Sequence, residues 1–213
     1  SCPYSKNEKG QGPAWANSLF EDNAEFGMGI SLAVQSKKQI LSNLIDKLNL
    51  NNGDKLKDEL NIWKENSNSL SNEKVEEIIS LLKKTSLKSE NKKIVEEILQ
   101  NSDNLYKKSV WIIGGDGWAY DIGYGGLDHV LNSKQNLNIL VLDTEVYSNT
   151  GGQSSKSTPS GAVAKFASGG KATRKKDLAA LAVLSKNAYV AKISMGADYE
   201  QAIKALREAE EFD

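Results

Sequence analysis

An α/β fold, a parallel sheet with helices on both faces, is predicted by three observations. Two short apolar runs, Ser109-Val110-Trp111-Ile112-Ile113 and Asn138-Ile139-Leu140-Val141-Leu142-Asp143, each read as a strand. A helical pattern at about 121–133 separates them. A helix at Asp177–Lys186 and a third apolar run at Ala188–Ile193 then repeat the alternation. Parallel neighbours need a crossover between them, and a helix is the usual one.

The elements follow in chain order. Residues 1–24 are polar and punctuated by Gly and Pro, which works against regular structure. They carry Trp15 and Phe20, so the segment is expected to pack over something. From 25 to 50, Ile30, Ala33, Val34, Leu41, Leu44, Ile45 and Leu48 fall on one helical stripe, and Asn51-Asn52-Gly53-Asp54 stops it. Residues 54–106 are rich in Lys, Glu, Asn and Ser and show three short helical patterns, read as a small helical insertion packed on the main domain. Trp111 belongs to a strand expected to be buried. Asp198 and Gln201 form a capping box for a last helix through Glu210. The segment from Thr144 to about Arg174 is a polar loop of roughly 30 residues, well past the usual 2–6 or so for a strand–helix link, and such loops are usually functional.

Composition narrows the chemistry. The 213 residues suit one domain, or one with a small appendage. Lys and Arg number 27 against 28 Asp and Glu, and Arg174 and Arg207 are the only arginines. That balance argues against nucleic-acid and membrane-surface partners. One cysteine, Cys2, excludes a disulfide framework and an iron–sulfur cluster built by this chain alone. One histidine, His129, excludes a multi-histidine metal site. Any metal therefore takes oxygen ligands, which favours Mg²⁺ or Ca²⁺. No apolar run approaches the roughly 18 residues of a membrane span, and a cytoplasmic protein is expected. The first residue is Ser1 and the last, Asp213, directly follows a helical pattern, so an excised domain is expected.

In parallel α/β sheets ligands bind outside the carboxyl ends of the strands. The first strand ends in Gly114-Gly115-Asp116-Gly117, where glycine lets the backbone approach a ligand and the following helix favours an anion. Asp116 beside an anion site makes sense with a cation between them. The second strand ends in Asp143-Thr144-Glu145-Val146-Tyr147-Ser148-Asn149-Thr150-Gly151-Gly152, and Thr144 follows Asp116 by 28 residues. One crossover and one strand fill that interval, so both meet at one sheet edge. Thr144 Oγ1 and the Val146 carbonyl complete an oxygen shell, and Ser148, Asn149 and Thr150 add donors. A Mg²⁺–diphosphate cofactor site is the physical reading. A dinucleotide fingerprint is disfavoured, because Gly115-Asp116-Gly117-Trp118-Ala119-Tyr120 lacks the third glycine. His129 is read as a packed helix residue. Lys156 reads equally as a phosphate contact or a solvated loop lysine. Cys2 reads as an unremarkable terminal thiol.

The strings GGDGWAYDIGYGGLDHVL at 114–131, DTEVYSNTGGQSSK at 143–156, GAVAKFA at 161–167 and GPAWANSLFEDNAEFGMG at 12–29 are far more specific. Together they closely resemble the thiamine-diphosphate-binding domain of pyruvate:ferredoxin (flavodoxin) oxidoreductases. The resemblance covers 12–29 and 110–211, with little from 54–106. It implies Mg²⁺ on Asp116, Thr144 and the Val146 carbonyl. It implies that Gly115, Gly117 and Trp118 line the diphosphate with Glu145, Tyr147 and Ser148. It puts Asn149 on the substrate side of the thiazolium, in a catalytic role, and Phe20 against the cofactor.

The resemblance also implies missing parts. A pyrimidine-binding domain would supply the glutamate that activates the cofactor, and iron–sulfur clusters and coenzyme A would sit on other parts of a homodimeric parent. The implied reaction is oxidative decarboxylation of pyruvate to acetyl-CoA and CO₂, with electrons passed to ferredoxin or flavodoxin. The isolated fragment is expected to be inactive. The alternatives are a domain of a non-oxidative thiamine-diphosphate decarboxylase or carboligase, and an inactive interaction module docking through 54–106.

Overall fold

Strands β1 (Trp111–Gly115) and β2 (Asn138–Leu142) lie side by side in the computed structural model. The structure describes residues 6, 8, 10, 12–18, 20–51, 53–85 and 89–212; Cys2 and Asn52 lie outside them. The amide of Asn138, which opens β2, donates to the carbonyl of Val110, just before β1, at 2.8 Å. The two strands start together and run the same way, so the architecture is α/β with a parallel pair.

The crossover between them departs from one regular helix. A π-helical turn, Gly117–Ile122, comes first, and α5 (Tyr124–Asn132) follows. Gly123 donates to the carbonyl of Trp118 at 2.9 Å, the i to i+5 spacing that marks the wider turn. His129, expected to be packed, is exposed in the last turn of α5.

Burial along the strands is thinner than expected. Ile112 is buried, Ile113 is 39% exposed, and Trp111 is only half-buried. The third run, Ala188–Ile193, forms no strand. A strand exists only where a neighbour's backbone takes its N–H and C=O groups. Here the segment is tied to the last helix, α7 (Tyr199–Glu211). Gln201 Nε2 donates to the Lys192 carbonyl at 3.3 Å, and the Tyr189 hydroxyl donates to Glu208 at 2.6 Å. That contact also leaves the capping box half made: Asp198 accepts from the Gln201 amide at 2.9 Å, but the Gln201 side chain turns away. Helix α6 (Leu178–Leu184) begins on the side chain of Asp177, which accepts from Ala180 at 3.0 Å.

Two compact units divide the chain. One holds the residues up to Phe26, Ile112–Lys134 and Ile139–Phe212. The other holds Gly27–Trp111 and Gln135–Asn138, more than the 54–106 stretch. The second is helical: most of α1 (Asn23–Asp46), then α2 (Lys55–Asn66), α3 (Asn72–Lys84), α4 (Ser89–Gln100) and a 3₁₀ turn at Ser102–Asn104. Its core is its own. Leu41, Leu44, Ile45 and Leu48 meet Leu56, Leu60, Trp63, Val75, Ile78, Leu82, Val95, Ile98 and Leu105. The first half of the predicted α1 stripe is not part of it, since Ile30 and Ala33 are exposed.

Local caps explain where these helices stop and start. Asp54 accepts from the Leu56 amide at 2.9 Å and opens α2; Ser71 accepts from Lys74 at 3.3 Å and opens α3. Helix α1 ends before the Asn-Asn-Gly-Asp signal, because the buried side chain of Asn91 takes over the backbone of Asn49. It donates to the Asn49 carbonyl at 2.9 Å and accepts from its amide at 3.2 Å.

Candidate functional site

The turn after β1 and the turn after β2 deliver their polar residues to one place. Asp116 is 1% exposed. Its Oδ1 accepts from Thr144 Oγ1 at 2.9 Å. Thr144 Oγ1 also lies 3.2 Å from the Val146 carbonyl oxygen and 2.8 Å from Ser148 Oγ. A carboxylate, a hydroxyl and a carbonyl therefore converge within hydrogen-bond range of one another. Among the described residues no lysine or arginine pairs with Asp116. Buried charges are normally paired or bound to metal. A hard cation accepts this set of oxygen donors, and the set fits Mg²⁺. Among the described residues no group of three or more His, Cys, Asp and Glu offers an alternative metal site.

The long polar loop is more ordered than a bare loop. It contains a short hairpin, β3 (Val146–Tyr147) with β4 (Gln153–Ser154), paired antiparallel in the register Val146–Ser154 and Tyr147–Gln153. The connection closes through Gly151 and Gly152, with φ of +110° and +87°, a backbone region that other residues rarely adopt. Gly152 donates to the Tyr147 carbonyl at 2.8 Å. Asn149 is exposed in this connection.

Beyond the hairpin the loop folds back on Asp116. Ser155 Oγ is 2.7 Å and Ser157 Oγ 2.5 Å from Asp116 Oδ2, and both serines are buried. Thr158 Oγ1 accepts from the Ser155 amide at 2.9 Å and donates to the carbonyl of Glu145. Glu145 itself has a positive φ of 65°. These residues went unrecognised in the sequence. The available signal was the run Ser154-Ser155-Lys156-Ser157-Thr158, a dense set of hydroxyls in a loop predicted to be functional.

Aromatic packing shapes the rest. A Cβ on Gly117 would stand 2.5 Å from two carbons of the Tyr147 ring, so only glycine lets the ring lie against the turn. The Phe20 ring sits 6.0 Å from Tyr147, centroid to centroid, tilted by 39°. Burial and the neighbouring charge of Asp121 push the Tyr147 hydroxyl up to about 12, so it stays protonated. Trp118 is buried; a Cβ on Gly114 would lie 2.4 Å and one on Gly123 2.1 Å from its indole. Its ring is occupied in packing, while the backbone of Gly115, Asp116 and Gly117 carries the turn.

A second network borders the site. Tyr120 donates to Asp143 Oδ2 at 2.9 Å, and Lys175 Nζ bridges Asp143 at 2.7 Å and Glu145 at 3.2 Å. Burial and the Asp143 bond raise the Tyr120 hydroxyl well above its ordinary range. Lys156 donates its amide to Asp121 at 3.1 Å and holds its ammonium 3.5 Å from the same carboxylate, so it is tied to Asp121 although its side chain is largely exposed. Among the described residues no helix is long and apolar enough to cross a membrane.

The family profile for the thiamine pyrophosphate enzyme C-terminal TPP-binding domain matches residues 99–212. A pyruvate-flavodoxin oxidoreductase of Klebsiella pneumoniae is 51% identical over 213 residues, covering 99% of this chain and 18% of that protein. A pyruvate:ferredoxin oxidoreductase of Moorella thermoacetica is 52% identical over 218 residues, covering all of this chain and 19% of the relative. A pyruvate dehydrogenase [NADP(+)] of Cryptosporidium parvum is 44% identical over 247 residues, 100% of this chain and 13% of the relative. The chain thus spans under a fifth of the length of these relatives.

Proposed function

This chain belongs to the thiamine pyrophosphate enzyme family through its C-terminal TPP-binding domain, and from that premise we propose that it is the diphosphate-binding part of a larger 2-oxo acid oxidoreductase. The observation that carries the reading is the buried carboxylate of Asp116, without a cationic side chain, facing Thr144 Oγ1 at 2.9 Å beside the Val146 carbonyl. The identity of about half to pyruvate-flavodoxin and pyruvate:ferredoxin oxidoreductases supports the choice of reaction.

In this reading Asp116, Thr144 and the Val146 carbonyl hold Mg²⁺. Gly115, Gly117 and the backbone of Trp118 border the diphosphate, with Glu145, Tyr147 and Ser148 beside them. Phe20 and Tyr147 give the cofactor an aromatic wall. Asn149, exposed in the hairpin connection, reaches the substrate and is the catalytic candidate. When bound, thiamine diphosphate supplies a carbon nucleophile and an electron sink for the bond that breaks to CO₂.

The whole enzyme converts pyruvate and coenzyme A into acetyl-CoA, CO₂, a proton and two electrons. Iron–sulfur clusters elsewhere in the enzyme carry those electrons to ferredoxin or flavodoxin. A pyrimidine-binding domain outside this chain completes the cofactor site, and the parent enzyme works as a homodimer in the cytoplasm. The relatives' names include flavodoxin, ferredoxin and NADP(+), which fits an acceptor chosen outside this domain.

Product analysis of the full-length enzyme tests this. Incubation with pyruvate, coenzyme A and an oxidised acceptor is expected to give acetyl-CoA and reduced acceptor together. Acetaldehyde or acetolactate without acceptor reduction would replace the reading with a non-oxidative decarboxylase or carboligase.

A further inference from the structure

Asp116 has two carboxylate oxygens, and the structure treats them differently. Oδ1 faces Thr144 Oγ1 at 2.9 Å, on the side of the Val146 carbonyl. Oδ2 faces Ser155 Oγ at 2.7 Å and Ser157 Oγ at 2.5 Å. The two serines are also 2.5 Å apart, and Ser155 Oγ accepts from the Ser157 amide at 3.0 Å. Each hydroxyl has one proton to give. Either both protons go to Oδ2, or one serine donates to the other and that one donates to Oδ2. In every arrangement Oδ2 accepts from the serine pair, whereas Oδ1 faces only Thr144 Oγ1, itself a proposed ligand of the cation.

We propose that Ser155 and Ser157 are positioning residues that clamp the second oxygen of Asp116, so that only Oδ1 is offered to the cation. The inference rests on the cation-site reading of Asp116. A carboxylate free to rotate can chelate an ion with both oxygens or turn away from it. Hydroxyls on Oδ2 hold it in a one-oxygen geometry, and they stabilise its charge while leaving that charge uncancelled for the metal. The clamp is itself braced. Ser155, Ser157 and Thr158 are all buried, and Thr158 links the Ser155 amide to the carbonyl of Glu145, next to Thr144. The loop that supplies the second oxygen's partners is thus pinned to the turn that supplies the first oxygen's partner. Partners of this kind typically change metal affinity by about 10- to 100-fold.

The test uses the full-length enzyme and Mn²⁺ as the metal probe, with free Mn²⁺ read by its electron paramagnetic resonance signal in the presence of thiamine diphosphate. Ser155→Ala, Ser157→Ala and the double variant are expected to bind Mn²⁺ about 10- to 100-fold more weakly. Ser155→Thr, which keeps a hydroxyl, is expected to recover most of the affinity lost in Ser155→Ala; a merely structural role would give no such rescue. If the double variant fails to fold, the comparison of Ser155→Ala with Ser155→Thr decides alone. Asp116→Asn separates the two levels. If it abolishes Mn²⁺ binding while the serine variants bind like wild type, the clamp is overturned and the cation site stands. If Asp116→Asn binds Mn²⁺ normally, the cation site itself is wrong and the clamp falls with it.

Discussion

Thr144 Oγ1 lies 2.9 Å from Asp116 Oδ1, although 28 residues separate the two in the chain. One residue follows β1 and the other follows β2. Because the strands start together and have equal length, their ends fall at the same edge, and the two turns meet there. The parallel pairing makes this contact, and a site at the carboxyl ends of parallel strands follows from it.

Under the proposed Mg²⁺ assignment, removing either side of that contact should impair metal-dependent cofactor binding. Asp116→Ala in the full-length enzyme is expected to abolish Mg²⁺-dependent binding of thiamine diphosphate. Thr144→Val, close in size but without the hydroxyl, is expected to weaken it by roughly tenfold or more. Calorimetric titration of the cofactor with and without Mg²⁺ measures both; wild-type binding in Asp116→Ala would contradict the ligand assignment.

Gly117 tolerates no side chain. Gly117→Ala places a methyl carbon 2.5 Å from the Tyr147 ring, so the ring must move. Overpacking of this kind costs about 1–3 kcal/mol. Cofactor affinity is expected to drop by a similar free energy, roughly five- to 150-fold. Tyr147→Leu in the same chain makes room and should recover part of the loss, which a titration of the double variant against the single one will show.

Lys38 predicts a pH effect confined to the helical unit. It is buried in α1 and donates to the Ser67 carbonyl at 2.6 Å and to Asn68 at 2.8 Å. Burial, then the charges of Lys108 and Lys107, lower its ammonium to about 8 from an ordinary 10.5. Below pH 8 the folded and unfolded forms both carry the proton, and the folded form bears the full cost of a buried charge. Between about 8 and 10.5 the unfolded form binds more protons, so this group's contribution to stability rises with pH. Hydrogen exchange of α1 and α3 in wild type and Lys38→Met, compared at matched pH values, should show the variant's advantage shrinking as pH climbs through that window. An advantage that does not change with pH would contradict the assignment.

Trp63 anchors the core of the same unit. Its indole is buried and its Nε1 donates to the Leu105 carbonyl at 2.8 Å. Trp63→Phe leaves a buried acceptor without its donor, and about 1–3 kcal/mol of local stability is expected to go with it. Amide exchange in α2 and α4 should accelerate correspondingly, by roughly five- to 150-fold, while exchange in β1 and β2 stays as in wild type.

Much of this was legible in the sequence, for identifiable reasons. Apolar runs, helix-capping residues and the 28-residue spacing are local quantities, and they placed β1, β2, α5 and α7 and paired Asp116 with Thr144 and Val146. The four strings at 12–29, 114–131, 143–156 and 161–167 pointed to the family whose profile matches 99–212. Ala188–Ile193 shows the limit of such reading, because an apolar run says nothing about whether a partner strand lies beside it.

What the tertiary structure decided lies where the chain doubles back. Ser155 and Ser157 reach Asp116 across 39 and 41 residues of separation, through a loop with no periodicity to read. The closeness of Tyr147 to Gly117 depends on how a hairpin with two-residue strands is tilted. The core of the helical unit draws on the second half of α1, a helix whose stripe looks continuous in the sequence. Local periodicity and spacing set which residues can share a strand, a helix face or a sheet edge. Which hydroxyl ends up on which carboxylate oxygen is set by packing between distant segments, and only the folded chain specifies it.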